Sequence, residues 1–587
     1  MHIHTEPSEV YSPDKPGTPA AARPAGAGWW RDLTVLALLA GLWFCGLLGL
    51  RSLGNPDEGR YTEIPREMAV TGDFVTPRLN GVKYFEKPPL VYWLSALTIR
   101  QFGVNEFTAR LWGGLFAVFG VLVTYAAARS LYGRGAGIRA AVVLSTTLMY
   151  YVLSQIILLD MAVAVTISGA LFAFILAMRE PRGRRRLGWF LTFYACMALA
   201  TLSKGLIGIA IPGAVIFCWV LLLNRWRALW PFYPVVGTAL LLAIAAPWHV
   251  LAARANPDFL NFYFVHEHWL RFTTRIHGRY EPWWFFLPVL LAGLFPWIFF
   301  TWRSLVESLA GGWKARRQNS EAWFFLIWIV FIVAFFTKSQ SKLIPYILPV
   351  FPPIAVLIGC SVGGAWQGLS GSKFRRDMWA FIVSALLLAV MAGVVPFFLR
   401  EKLRVEQSAL AAMMPVLQVT LAGAMFFGAA VAFLGLRRNQ PRLMIRAVAV
   451  SSAVFLLAMN FGGGSFEKTS TKKIAMILKP LLQADDRVYC VGYYAQDLPV
   501  YLVRLVSVVG YRGELAYGID AEPDITAPRF LRREQFASQW AQPGAAYAVV
   551  RKGVYNKWFA KSGISCEMLA ETHDFVLVVK LPAPPQP

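Results

Sequence analysis

Charge is scarce in this sequence, and acidic charge scarcer still. Only 15% of the 587 residues are charged, 33 acids against 57 bases, for a net charge of +24. An ordinary soluble domain carries about 25% charged residues. Hydrophobic residues make up 57% of the chain and mean hydropathy is +0.50. That balance excludes a purely soluble enzyme and a disordered regulator, because most of the chain needs lipid as its solvent. Cysteine is rare too, six in all, which excludes a secreted disulfide scaffold. Cys45, Cys196, Cys218 and Cys360 sit in apolar runs as small hydrophobes. Cys490 and Cys566 lie in the polar C-terminal region and can pair if it faces an oxidising compartment. The sequence has no zinc-type cysteine spacing, no nucleotide-binding loop and no clear inverted repeat. On a soluble protein, +24 would point to nucleic acid. On a membrane protein it points to basic cytoplasmic loops and contact with anionic lipid.

What the chain does have is long apolar runs. Residues 1–30 are rich in Pro, Ala and Gly and are expected to form a disordered cytoplasmic tail. Residues 31–463 are expected to hold about thirteen transmembrane helices. The first, 33–50, reads as a retained anchor because no small-residue cleavage site follows it. The others fall near 107–127, 140–157, 160–178, 189–203, 206–223, 230–251, 284–302, 322–336, 344–365, 378–399, 411–436 and 446–463. Short basic connections at Arg129–Arg134, Arg179–Arg186, Trp313–Arg317, Lys373–Arg376 and Arg437–Arg438 place the N-terminus inside by the positive-inside rule. An odd number of spans then puts the C-terminus outside. Hydropathy falls from Gly464, and 464–587 is expected to be a soluble periplasmic α/β domain. Its strands are predicted at 486–494 and 575–580, with helices near 497–504 and 533–541. The fold class is thus a polytopic α-helical membrane protein with a C-terminal α/β domain.

The outer loop 51–106 is far longer than the rest. It carries two amphipathic stretches, Glu58–Val70 and Pro88–Gln101, each predicted to lie as a helix along the membrane surface. The outer loops are basic against the orientation rule, with Arg60, Lys87, Arg271, Arg275, Lys338 and Lys342 among their cations. Asp57 and Glu58 would start the first surface helix, where acids favour the helix dipole; the same place beside Arg60 also suits orientation of a substrate. Lys87 stands before the second surface helix, where a snorkelling lysine or a phosphate site both fit. Asp160 and Lys204 occupy the outer turns between pairs of spans, and a charge at such a level marks a functional site by default. On an α-helix His268, Arg271 and Arg275 would share one face. His266 and His268 are two apart and do not converge, which leaves Glu86 with His268 as a candidate pair for a divalent metal such as zinc. The loop Thr337–Tyr346, with Lys338, Lys342 and Tyr346, completes a cationic ring around Asp57 and Asp160.

Several of these segments are similar to one known family. Asn55-Pro-Asp57-Glu58-Gly-Arg60, Gly72-Asp73-Phe, Tyr84-Phe-Glu86-Lys87-Pro-Pro, Glu267-His268-x-x-Arg271-Phe and Ser341-Lys342-Leu-Ile-Pro345-Tyr346 resemble the bacterial aminoarabinose transferases. These are integral-membrane GT-C glycosyltransferases related to the protein O-mannosyltransferases. The resemblance implies transfer of 4-amino-4-deoxy-L-arabinose from undecaprenyl phosphate to lipid A phosphate at the periplasmic face of the Gram-negative inner membrane, with resistance to polymyxin and cationic peptides. It implies Asp57 as a catalytic carboxylate and Asp160 as a second. The two aspartates could orient the acceptor, hold the sugar's ammonium or stabilise an oxocarbenium-like centre. Arg60, Lys87, Lys204, Arg271 and Tyr346 are the expected donor-phosphate ligands. The expected partners are the lipid-linked donor, the lipid A acceptor and membrane lipid, with no nucleic acid. Two alternatives stay open at this point: a GT-C transferase with a protein or other glycan acceptor, and a flippase for the lipid-linked sugar.

Overall fold

The computed structural model describes residues 28–274, 278–366, 371–406, 408–463 and 469–580. Most of the tail expected over 1–30, and Arg275, lie outside these residues. Helix α1 (Trp29–Cys45) leads into an outer excursion of α2 (Asp57–Thr71), a hairpin of β1 (Arg78–Leu79) and β2 (Val82–Lys83), and α3 (Leu90–Phe102). The chain continues through α4 (Glu106–Tyr132), α5 (Arg134–Ser145), α6 (Leu148–Ser154), α7 (Leu159–Arg179), α8 (Arg184–Lys204) and α9 (Ile207–Leu223). Further long helices cover Pro234–Ala255, Ser320–Lys338, Phe351–Trp366, Ser372–Glu406, Ser408–Arg437 and Pro441–Gly463. Local chemistry sets their ends. Asp57 and Glu58 occupy the first turn of α2, and Gly72 closes it at φ 73°. Asn105 and Thr108 form a reciprocal capping box on α4.

Among the described residues nine helices are long and apolar enough to cross a membrane, or eleven if each of two bent pairs is one span. The pairs are α5 with α6, bent by 64°, and Phe286–Gly293 with Ile298–Ser308, bent by 100°. The expected spans 33–50 and 206–223 correspond to α1 and α9, each 17 residues long. The run 284–302, read from sequence as one span, is thus sharply broken near Pro296, which has no N–H to continue a helical ladder. Helix α7 is buried along nearly its whole length and forms the centre of the bundle. Its first turn therefore faces other protein, and that is where Asp160 lies.

The basic connections gather at one end of the bundle. Arg179 donates to the Leu131 carbonyl at 3.1 Å, Arg225 to that of Arg317 at 2.7 Å, and Arg375 to that of Leu436 at 3.3 Å. Asp32 receives Arg134 and Arg129 at the same end. The C-terminal domain stands at the opposite end. Its sheet runs in the order β5 (Phe530–Leu531), β4 (Ser507–Val509), β3 (Arg487–Val491), β6 (Ala546–Arg551), β8 (Phe575–Lys580), β7 (Cys566–Glu571). The pairings among β3, β4, β5 and β6 are parallel, and β8 and β7 add antiparallel. Both faces of β3 and β6 are covered, which is why their sequences are continuously apolar and do not alternate.

The structure closes one possibility the sequence left open and corrects one expectation. Cys490 and Cys566 are free: β3 and β7 are three strand spacings apart, roughly 14 Å, well beyond disulfide reach. Helix α2 does not lie open on the membrane surface. Ile64 and Met68 share a core with Leu478, Tyr494 and Leu498 of the C-terminal domain, and Glu63, Arg66 and Glu67 are buried with them. The backbone of Gln496 and Asp497 passes so close to Gly59 that a Cβ there would stand 2.6 Å from the Gln496 carbonyl carbon. The polar residues of α2 are thus buried against another domain, which hydropathy alone reads as contact with headgroups.

Candidate functional site

At the domain-bearing end of the bundle, five chain segments meet around a half-open cavity of about 100 Å³. Its polar side is built from Glu86 and Lys87 before α3, Asp160 on α7, Lys204 on α8, Glu267, His268 and Arg271 on the segment after Asn261, and Tyr346. Its deeper wall is apolar, with Val163, Ile167, Ile207, Ile211, Phe335 and Phe336.

The helices deliver these groups for identifiable reasons. Asp160 sits in the first turn of α7 and Lys204 in the last turn of α8, the ends where a carboxylate and an ammonium are each favoured by the helix dipole. The two helices pack side by side, so Asp160 and Lys204 close an ion pair, and the Lys204 ammonium stands 4.7 Å from the centre of the Tyr346 ring. Gly205, at φ 92°, ends α8; a side chain here would collide with the His268 ring. Residues Asn261–Leu270 form a π-helix, a feature frequent at functional sites. His268 and Arg271 both line the cavity, and Glu267 receives Arg271 at 2.8 Å and Lys87 at 3.5 Å.

Burial shapes the electrostatics. Lys87 is buried, and burial together with the nearby Arg271 pushes it down to about 8, against the pull of Glu267 and Glu86. Burial also pushes His268 below the ordinary imidazole value, so at neutral pH it is uncharged. A buried lysine pressed by a second cation gains strongly from an anion, because the anion restores its charge.

Asp57 and Arg60 are not part of the cavity lining. Asp57 is half-exposed at the start of α2, 3.9 Å from Arg60. Arg60 is buried and donates to Gln496 at 3.1 Å, to the Tyr84 hydroxyl at 3.0 Å and to Glu514 at 3.3 Å. Next to Arg60, the half-buried Tyr61 phenol is raised by burial first, with Arg60 opposing and Asp57, Glu86 and Asp160 adding to the rise. Glu58, by contrast, pairs with fully buried Arg110 through two contacts of 2.8 Å and holds the loop entry. Lys342 does not join the cationic ring; its ammonium donates to the Glu281 carbonyl at 2.6 Å.

The metal expectation does not fit these residues. The His268 Nδ1 contacts the Tyr263 carbonyl at 2.6 Å and its Nε2 accepts the Leu206 N–H at 3.3 Å, so neither nitrogen offers a free lone pair. Among the described residues no three His, Cys, Asp or Glu side chains group as a metal would require. The sequence places Glu267 in a family motif but assigns it no role, although its spacing to Arg271 is that of a helical ion pair, and it gives no signal for Gln496 and Glu514 of the C-terminal domain.

Comparison with known proteins agrees with this architecture. Residues 33–263 match the family model of dolichyl-phosphate-mannose-protein mannosyltransferases, and residues 474–580 match that of the aminoarabinose transferase C-terminal domain. The undecaprenyl phosphate-α-4-amino-4-deoxy-L-arabinose arabinosyl transferase 2 of Sodalis glossinidius is 32% identical over 520 residues, 86% of this chain and 90% of the relative. The chain belongs to this arabinosyl transferase family. The corresponding transferase of Erwinia tasmaniensis is 33% identical over 62% of this chain and 65% of its own length. The crystal structure of ArnT from Cupriavidus metallidurans bound to undecaprenyl phosphate superposes with a TM-score of 0.80 at 30% identity, over 96% of this chain and all of that one. Family membership thus extends into the C-terminal domain, where the sequence motifs carried only an architectural likeness.

Proposed function

We propose that this chain is a polyprenyl-phosphate-dependent glycosyltransferase that moves 4-amino-4-deoxy-L-arabinose from undecaprenyl phosphate to a lipid A phosphate. The observation that carries the reading is the cavity: Lys87, Lys204 and Arg271 with Tyr346 at one side, an apolar wall at the other. An anionic headgroup on an isoprenoid chain has that polarity. In the reaction the bond from the anomeric carbon to the donor phosphate oxygen breaks, and a bond to an acceptor phosphate oxygen forms. The leaving group departs as undecaprenyl phosphate with one more negative charge than it had in the donor. Lys87, Lys204 and Arg271 would neutralise that developing charge, and each charge-assisted contact is worth about 1.5–3 kcal/mol.

The acceptor needs no strong base. A phosphate monoester loses its second proton near pH 6, so at neutral pH it is already largely the nucleophilic anion. What it needs is an orienting site close to the anomeric carbon, and Asp160 within the cavity and Asp57 beside it are the carboxylates for that work.

In this reading the basic end of the bundle faces the cytoplasm, and the cavity and the C-terminal domain lie on the periplasmic side of the Gram-negative inner membrane; the positive-inside rule supports it. The product lipid A carries less negative charge, which accounts for resistance to polymyxin and other cationic peptides. The test is transfer by the purified protein in lipid vesicles supplied with the donor and lipid A. Aminopentosyl lipid A should form with wild type and fall about 10- to 100-fold with Lys87→Ala, the loss of one charge-assisted contact. Wild-type turnover of the donor without any glycosylated lipid A would reject the acceptor assignment.

A further inference from the structure

We propose that Glu86 selects the donor sugar by pairing with its amino group, which is an ammonium at neutral pH. The inference rests on the donor proposed above and names the residue that recognises what distinguishes it. The cavity lining holds three carboxylates, Glu86, Asp160 and Glu267. Two are engaged: Asp160 by Lys204, and Glu267 by Arg271 and Lys87. Glu86 is half-buried on the same wall, and among the described residues its carboxylate has neither a hydrogen bond nor an ion pair. Arg60, Lys87 and Arg271 feel its charge without closing a pair with it.

The charge balance of the cavity points the same way. Lys87, Lys204 and Arg271 are matched by three carboxylates, so the lining is neutral overall. A pocket serving only a phosphate anion would keep a surplus of cations. The donor is a zwitterion, with one negative phosphodiester and one positive amine, and a neutral lining with separated cationic and anionic sides is complementary to it. A sugar with a hydroxyl in place of the amine would leave Glu86 without its ionic partner. Sites that present a buried polar group to one substrate reject the analogue that cannot answer it. Asp57 is the rival anion, but it is half-exposed, outside the lining and 3.9 Å from Arg60.

The experiment compares two donors, undecaprenyl phosphate carrying 4-amino-4-deoxy-L-arabinose and the same lipid carrying L-arabinose with a 4-hydroxyl. The kcat/KM for each is measured with wild type and with Glu86→Gln in lipid vesicles. Wild type should prefer the amino donor by about 10- to 100-fold, the range of a charge-assisted contact. Glu86→Gln should lose that preference through the amino donor, with the hydroxyl donor little changed. Wild type that uses both donors equally overturns the inference without any variant. So does Glu86→Gln that keeps the preference, or that loses both donors equally. Wild type that transfers neither sugar rejects the proposed function itself, a separate and recognisable failure.

Discussion

Replacing Gly59 by alanine tests whether the C-terminal domain sets the geometry of the first outer loop. Two effects oppose. Alanine in place of glycine inside a helix gains about 1 kcal/mol. Against that, the new Cβ would stand 2.6 Å from the Gln496 carbonyl carbon and 3.0 Å from the Asp497 Cα, both of them backbone. Overpacking costs about 1–3 kcal/mol, and backbone does not rotate aside as a side chain does. The clash wins by about 1 kcal/mol, and the domain must shift on α2. A shift draws Gln496 away from Arg60, now 3.1 Å distant, and Asp497 away from the Asn55 side chain, whose Oδ1 accepts the Asp497 N–H at 3.0 Å. We expect faster amide exchange over 490–500 with the bundle unchanged, and a transfer rate lowered about 10-fold, the equivalent of 1.4 kcal/mol. Gly213→Ala in α9, where nothing lies within 4 Å of the added carbon, makes the same chemical change without the clash and should be neutral or stabilising. Wild-type exchange over 490–500 together with wild-type transfer in Gly59→Ala would refute the reasoning.

Other consequences follow from the same geometry. With Lys87 at about 8, affinity for undecaprenyl phosphate should weaken as pH rises through that value, and Lys87→Arg should flatten this limb; titration calorimetry across pH 7 to 9.5 reads it, and a flat wild-type profile counts against a charged Lys87 at the phosphate. Glu58→Gln leaves Arg110 buried without its counter-charge, though still bonded to the Leu48, Arg51 and Ser52 carbonyls, which should cost about 3 kcal/mol; the variant should accumulate poorly or melt early, and a wild-type melting temperature would show that the pair is dispensable. Burial pushes Asp497 up from 3.8 to about 6. The folded protein therefore holds that proton more tightly than the unfolded chain does, so this contribution to stability is full below about pH 4 and is lost as pH rises through 6, by about 3 kcal/mol. Amide exchange of residues 469–500 at pH 5 and pH 7 checks the sign; slower exchange at pH 7, after correction for intrinsic rates, would contradict it.

Much of this was legible in the chain because apolar runs and interrupting charges are local signals. Helices, the outer excursion and the strands at 487–491 and 575–580 follow directly from them. So do Asp160 and Lys204, since a charge between two apolar runs has to be accounted for. The cavity as a set was legible only in part: Lys87, Lys204, Arg271 and Tyr346 converge as expected, whereas Arg60 turns to Gln496 and Glu514. Contacts between residues more than 400 positions apart leave no periodicity to read. The same holds for the burial of α2, which looked interfacial because its partner surface belongs to another domain. Glu267 was readable from its i,i+4 spacing to Arg271, but its second partner, Lys87, lies 180 positions away. The break near Pro296 lay within a run whose hydropathy is continuous.

The central claim is that this chain adds aminoarabinose to lipid A. Its most direct test is mass spectrometry of lipid A from a polymyxin-sensitive strain that lacks its own transferase but still makes the donor, with this gene supplied. The account predicts lipid A heavier by one aminopentose, and about 10- to 100-fold less of that species with Lys87→Ala present in the membrane at equal level. Unmodified lipid A in the presence of the folded wild-type protein would contradict it.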